Sequence, residues 1–185
     1  MSAGGKFLRL YRSRRMARLV RDERAAVLLE FALLAPMFMA LLVACAVMGI
    51  TAFAQQCVQT AAETMSRQVL TGQVQMGGMT QAAFKQKTCA ALPSFMDCSR
   101  VIIDMQRADD FNSVDTSLPV LVYDSNGNVI NTWSFTPGAA GDIVILRVLY
   151  IWPVSTGPLG FDISNMGPGQ RLLMGTMVFK SEPYS

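Results

Sequence analysis

Glu30 is a carboxylate placed where a carboxylate is costly. The 24 residues that follow it, Phe31 to Ala54, carry no charge. As a helix at about 1.5 Å per residue they reach roughly 36 Å, enough to cross a hydrocarbon core of about 30 Å with some tilt. Glu30 lies six residues past Arg24, which sets it roughly 9 Å inside the apolar end. A carboxylate there costs a few kcal/mol unless it snorkels, takes up a proton or finds a partner. The chemistry open to it is therefore ion pairing or anchoring. One reading is a Glu snorkelling from a helix end, and the other is a Glu kept for a partner within the membrane.

The other reactive residue types are few. The chain has no histidine, which removes Ser-His-Asp and Cys-His catalysis and His-ligated metal sites. Of the four cysteines, Cys45 falls inside the apolar run, as a small apolar residue, and Cys57 follows just beyond it. Along a helix those two are about 18 Å apart and cannot pair. Cys89 and Cys98 are close in sequence. In an oxidising compartment they are expected to form a disulfide, with a two-Cys metal site as the alternative. Asp109 and Asp110 sit in a polar stretch and read as solvated, with Ca²⁺ binding as their alternative. No Gly-rich phosphate loop or nucleophile elbow occurs. The chain reads as non-catalytic and without a cofactor.

Charge is split along the 185 residues. Residues 1–24 hold eight of the sixteen Lys and Arg, opposed by Asp22 and Glu23 alone, whereas residues 55–185 carry a net −2. A basic arm can bind nucleic acid. Fused to a membrane span it is explained more simply by topology: N-terminus in the cytoplasm, residues after about 54 outside. Ordinary secretion with cleavage after Ala52-Phe53-Ala54 is a further alternative, but the run exceeds a signal-peptide core and contains Glu30 and Pro36. The expected division is a basic leader over 1–25, a membrane helix over 26–54 and an exported domain over 55–185.

Pro36 cannot donate to the carbonyl of Ala32, so it should kink the helix one turn after Glu30. Val58, Ala61, Met65 and Val69 continue as a helical stripe, so one helix is expected from about Ala26 to Leu70, broken by Gly72, Gly77 and Gly78. Thr80 should cap a short helix ending before Pro93. Strands are expected over 100–106, 141–153 and 171–180, with the apolar run 141–153 central. Residues 107–117 and 154–169 read as loops. Asn126-Gly127 between two apolar runs predicts a hairpin over 118–135. The fold class is α+β: a long N-terminal helix, a short helix and an antiparallel sheet.

The segment AVLLEF, residues 26–31, resembles the N-terminus of the TadE-like family of minor pilins of tight-adherence (Flp-type, type IVb) pili. In that family a prepilin peptidase cuts just before an apolar stretch whose fifth residue is Glu, followed by Tyr or Phe. With Ala26 as the first residue, Glu30 is the fifth and Phe31 the sixth. Ala25 departs from the Gly that usually precedes the cut. GDIVILRVLYIWP and RLLMGTMVFKSEPYS resemble the family's closing strands, including Tyr150-Ile151-Trp152-Pro153 and a Phe-x-x-Glu-Pro-Tyr ending at Tyr184. The resemblance covers about residues 21–65 and 141–184.

It implies cleavage at Ala25–Ala26 and a pseudopilin-like, non-catalytic role in pilus assembly. Glu30 and Phe31 would serve assembly, with Glu30 pairing to the new α-amino group of a neighbouring subunit. The implied partners are other pilin or pseudopilin subunits, the prepilin peptidase, the inner-membrane assembly platform and membrane lipid, with no nucleic acid. The implied location is the bacterial inner membrane, single-pass, with a periplasmic C-terminal domain. The competing reading is an uncleaved bitopic adaptor of a secretion or envelope complex.

Overall fold

The computed structural model describes residues 23–124, 129–167 and 169–183. The basic residues up to Arg21, the Asn126-Gly127 turn and Tyr184 lie outside them. A single helix, α1 (Glu23–Leu70), opens the described chain and contains Pro36. It ends where Gly72 takes φ 75°, a backbone region that a residue without Cβ enters freely. The Gly72 amide donates to Val69 O at 3.0 Å and the Thr71 amide to Arg67 O at 3.0 Å, and the Glu182 amide reaches Leu70 O at 3.0 Å. One further turn, α2 (Gln73–Met76), lies between the glycines. The sequence suggested only a break there. The second helix, α3 (Gln81–Ala90), starts as expected at Thr80, whose hydroxyl accepts the Ala83 amide.

Three strands follow: β1 (Val101–Ala108), β2 (Ile143–Pro153) and β3 (Gln170–Lys180). They form one antiparallel sheet in the order β1-β2-β3, with β2 central. Val144 to Tyr150 are all buried, the pattern of a strand covered on both faces. On one face Val144, Leu146, Val148 and Tyr150 join Val101, Ile103, Met105, Leu173 and Phe179 in the core. α1 supplies Ala54, Val58, Ala61, Ala62, Met65 and Val69 to that core, and α3 supplies Phe84. The periodic stripe read from the sequence is thus the packed face of α1.

The close approach of α1 to β3 depends on Gly175. A Cβ built there would lie 2.7 Å from Val58 O and 3.0 Å from Ala62 Cβ. At this approach Gln55 Nε2 donates to Met174 O at 2.9 Å, and Gln59 Oε1 accepts the Thr176 amide at 3.2 Å. Asn165 serves Leu172 in the same way, accepting its amide and donating to its carbonyl. Side-chain amides therefore satisfy the outer edge of β3 where another strand would otherwise dock.

Among the described residues the expected hairpin over 118–135 does not form two strands. It is reduced to one antiparallel bridge, Tyr123 with Val129, and residues 134–136 instead run parallel along the free edge of β1. The Met105 amide donates to Ser134 O and the Thr136 amide to Met105 O, both at 2.8 Å. Phe135 meets the ring of Phe84 edge-on, with centroids 5.6 Å apart. No layer covers the first apolar run, so Leu118, Val120 and Val122 stay exposed. Alternation favours a strand only when one face is buried. The loop after β1 also contains a short turn, Phe111–Ser113, capped by Asp110.

Candidate functional site: the apolar helix and the end of the sheet

The first part of α1, up to Ala46, forms a compact unit with Gly157–Leu159, and Val47–Thr156 with the residues from Gly160 onward form a second. Within the first unit Val27, Leu28, Leu29, Phe31, Leu33 and Leu34 are all exposed, as is Glu30 among them. The apolar window has a mean hydropathy of 2.5 and none of it is buried. This helix, apolar on all sides, is uncovered by the other described residues and is long enough to cross a membrane. The Ala25–Ala26 junction lies in the first turn of α1, and Glu30, Phe31 and Pro36 follow within the same helix.

In the second unit the disulfide Cys89–Cys98 is formed. It ties the last turn of α3 to the turn Cys98–Arg100 that precedes β1. Within the closed loop Leu92 and Met96 enter the core, while Phe95 stays exposed. The Asp97 amide donates to Tyr150 Oη at 2.9 Å, which fixes the loop to β2. Phe95 is thereby held against Phe53 of α1, centroids 6.1 Å apart, and edge-on to Trp152 of β2 at 6.4 Å. Trp152 in turn lies 6.1 Å from the ring of Tyr150. Arg171 is the cross-strand partner of Trp152. It donates to Ile163 O at 2.6 Å and borders a hollow of about 260 Å³ with Met48, Ala52, Gln55 and Leu173. Phe53, Phe95 and Trp152 lie in separate segments, and nothing in the sequence signals that they meet.

A second feature lies on the opposite face of the sheet. Asp104 and Arg147 are cross-strand partners, 2% and 7% exposed, with Nη1 and Oδ2 at 3.2 Å. Asp104 also accepts the Ser134 amide and the side-chain amide of Gln106. Arg147 Nη2 donates to Asp115 O, while its Nε has no partner. Asp104 and Arg147 are the single charges within the apolar stretches VIIDM and IVILRVLY, which was the available signal for the pair.

Asp109 and Asp110 are exposed, and Asp109 meets Arg107 at 3.4 Å. Among the described residues no group of three or more His, Cys, Asp or Glu is arranged to hold a metal. Asp97, Asp115 and Asp162 have carboxyls held below their ordinary value. The backbone amide and side chain of Ser99, Ser117 and Ser164, two residues on, stabilise the charged form in each case. Cys45 and Cys57 are free thiols.

Comparison with protein-family models, with curated proteins and with solved structures returns no match. The functional reading therefore rests on the residues of the chain itself.

Proposed function

We propose that this chain is a membrane-anchored, non-catalytic subunit of the TadE-like minor pilin kind, acting in assembly of tight-adherence pili. The observation that carries the reading is the division of one helix. α1 runs unbroken from Glu23 to Leu70, exposed and apolar in its first part and buried against the sheet in its last. In the proposed arrangement the first part crosses the inner membrane, with the basic N-terminus cytoplasmic and the domain periplasmic. Glu30 supplies a negative charge within apolar surroundings, where an opposite charge offsets its desolvation. A neighbouring subunit's α-amino group, freed by cleavage before Ala26, is that charge, and the pairing sets the stagger between subunits.

The N-terminal residue of the membrane-bound protein tests the processing step. Ala26 supports the pilin reading, Met1 or Ser2 the uncleaved adaptor, and Gln55 a secreted domain. Glu30→Gln keeps the side chain's shape and removes its charge. It should leave membrane insertion and the disulfide intact and abolish co-purification with other pilin subunits. Full pilus assembly by both Glu30→Gln and Glu30→Leu would reduce Glu30 to a snorkelling residue and sink the pairing.

A further inference from the structure

We propose that the aromatic cluster Phe53, Phe95 and Trp152, with Arg171 beside it, seats the domain in the headgroup layer of the bilayer that α1 crosses. The inference rests on the membrane-spanning reading of α1. Counted from Phe31, an upright helix clears about 30 Å of hydrocarbon in about 20 residues, near Thr51. Phe53 comes just after that point and is 58% exposed, whereas the next residue, Ala54, is fully buried. Thr51 and Ala54 begin the buried stripe of α1, and from Gln55 polar residues enter its exposed face, so the cluster sits where the all-apolar run ends.

Phe95 comes from a different element and is 54% exposed. The disulfide loop is fixed by Leu92 and Met96, which point into the core, so Phe95 is held outward beside Phe53 rather than left over from packing. Trp152 adds an indole, a group with an apolar body and a polar edge that suits the membrane–water boundary. Arg171, opposite Trp152 on β3, supplies a cation where lipid phosphates lie. Together these features describe a surface for lipid. Phe53 and Phe95 are both more than half exposed and stack side by side, and the cation adds complementarity to anionic headgroups.

The test uses the full chain carrying Trp133→Phe, so that Trp152 is the sole tryptophan. It is reconstituted in phosphatidylcholine–phosphatidylglycerol vesicles whose acyl chains are brominated either near the headgroup or near the chain end. Flotation with the vesicles reports the span independently. The expected result is flotation together with loss of Trp152 emission to the shallow bromines and much weaker loss to the deep ones. Adding Phe53→Ser and Phe95→Ser should leave flotation unchanged and red-shift the emission while reducing the shallow quenching. Flotation with Trp152 unquenched by either lipid would overturn the seating and leave the spanning helix standing. Failure to float would overturn both. Emission that depends on the protein-to-lipid ratio and not on bromine would assign the surface to a second copy of the chain and overturn the lipid proposal.

Discussion

A single methyl group at Gly175 tests how α1 is held to the sheet. Its carbon would stand 2.7 Å from Val58 O and 3.0 Å from both Gln59 Cα and Ala62 Cβ. These are backbone atoms and a short side chain of α1, and none can swing aside as the end of a long side chain would. Gly175→Ala must therefore push α1 outward by several tenths of an ångström. That movement acts on the hydrogen bonds from Gln55 to Met174 O and from the Thr176 amide to Gln59. Overpacking of this kind costs about 1–3 kcal/mol, and each weakened hydrogen bond adds up to about 1 kcal/mol. The expected loss is about 2–4 kcal/mol, which in a domain of this size lowers Tm by roughly 7–15 °C. Thermal unfolding of the full chain in detergent micelles, followed by tryptophan fluorescence, measures it. Gly49→Ala is the control: a Cβ there meets nothing within 4 Å, and Ala is the better helix former by about 1 kcal/mol, so Tm should hold or rise slightly. Equal melting of Gly175→Ala and the parent chain would show that α1 does not depend on close approach at β3.

Three further outcomes are expected. Replacing Cys89 and Cys98 by Ser should cost roughly 2–3 kcal/mol, the loop-closure entropy of a short disulfide loop, read from urea denaturation with and without reductant. Asp104→Ala should cost about 3–5 kcal/mol, because it strands the Arg147 guanidinium in a buried site, whereas Asp104→Val combined with Arg147→Met should recover most of that loss in the same assay. The carboxyls of Asp97, Asp115 and Asp162 are depressed below their ordinary 3.8. Their stabilisation is therefore fully present above that value and lost as pH falls through the lower folded values, since the unfolded chain takes up those protons first. Converting all three to Asn should make the fall in Tm below about pH 4 shallower and leave the region from about pH 5 to 7 flat.

The elements legible in the sequence are those whose local pattern matches their surroundings in the fold. The run IVILRVLYIW is apolar at both alternating sets of positions, and it is the strand buried on both faces. Thr80 followed by Ala83 marks a helix start because a hydroxyl can reach an amide three residues on, and it does. Cys89 and Cys98 are close in the chain, so their pairing needs no long-range information. The hairpin shrank to the pairing of Tyr123 with Val129 for the opposite reason. Its strand pattern was sound, but β1 offered an open edge to residues 134–136, while Asn131 took up Val120 and Val122 through its side chain. Which of two edges a segment joins is a competition between distant partners, and local alternation does not encode it.

The same limit explains why Glu30 was legible and the aromatic cluster was not. Glu30 is conspicuous because its immediate neighbours are all apolar. Phe53, Phe95 and Trp152 are each ordinary within their own segments and gain meaning only when α1, the disulfide loop and β2 converge. Yet the convergence has a local cause at every step. α1 is apolar on nearly all sides up to Ala54, and from Gln55 its apolar residues withdraw to one buried stripe. The short Cys89–Cys98 loop places Phe95 beside the same point. Pairing with Arg171 of β3 places Trp152 there. Gly175 lets the helix lie close enough for all three rings to meet the same surface.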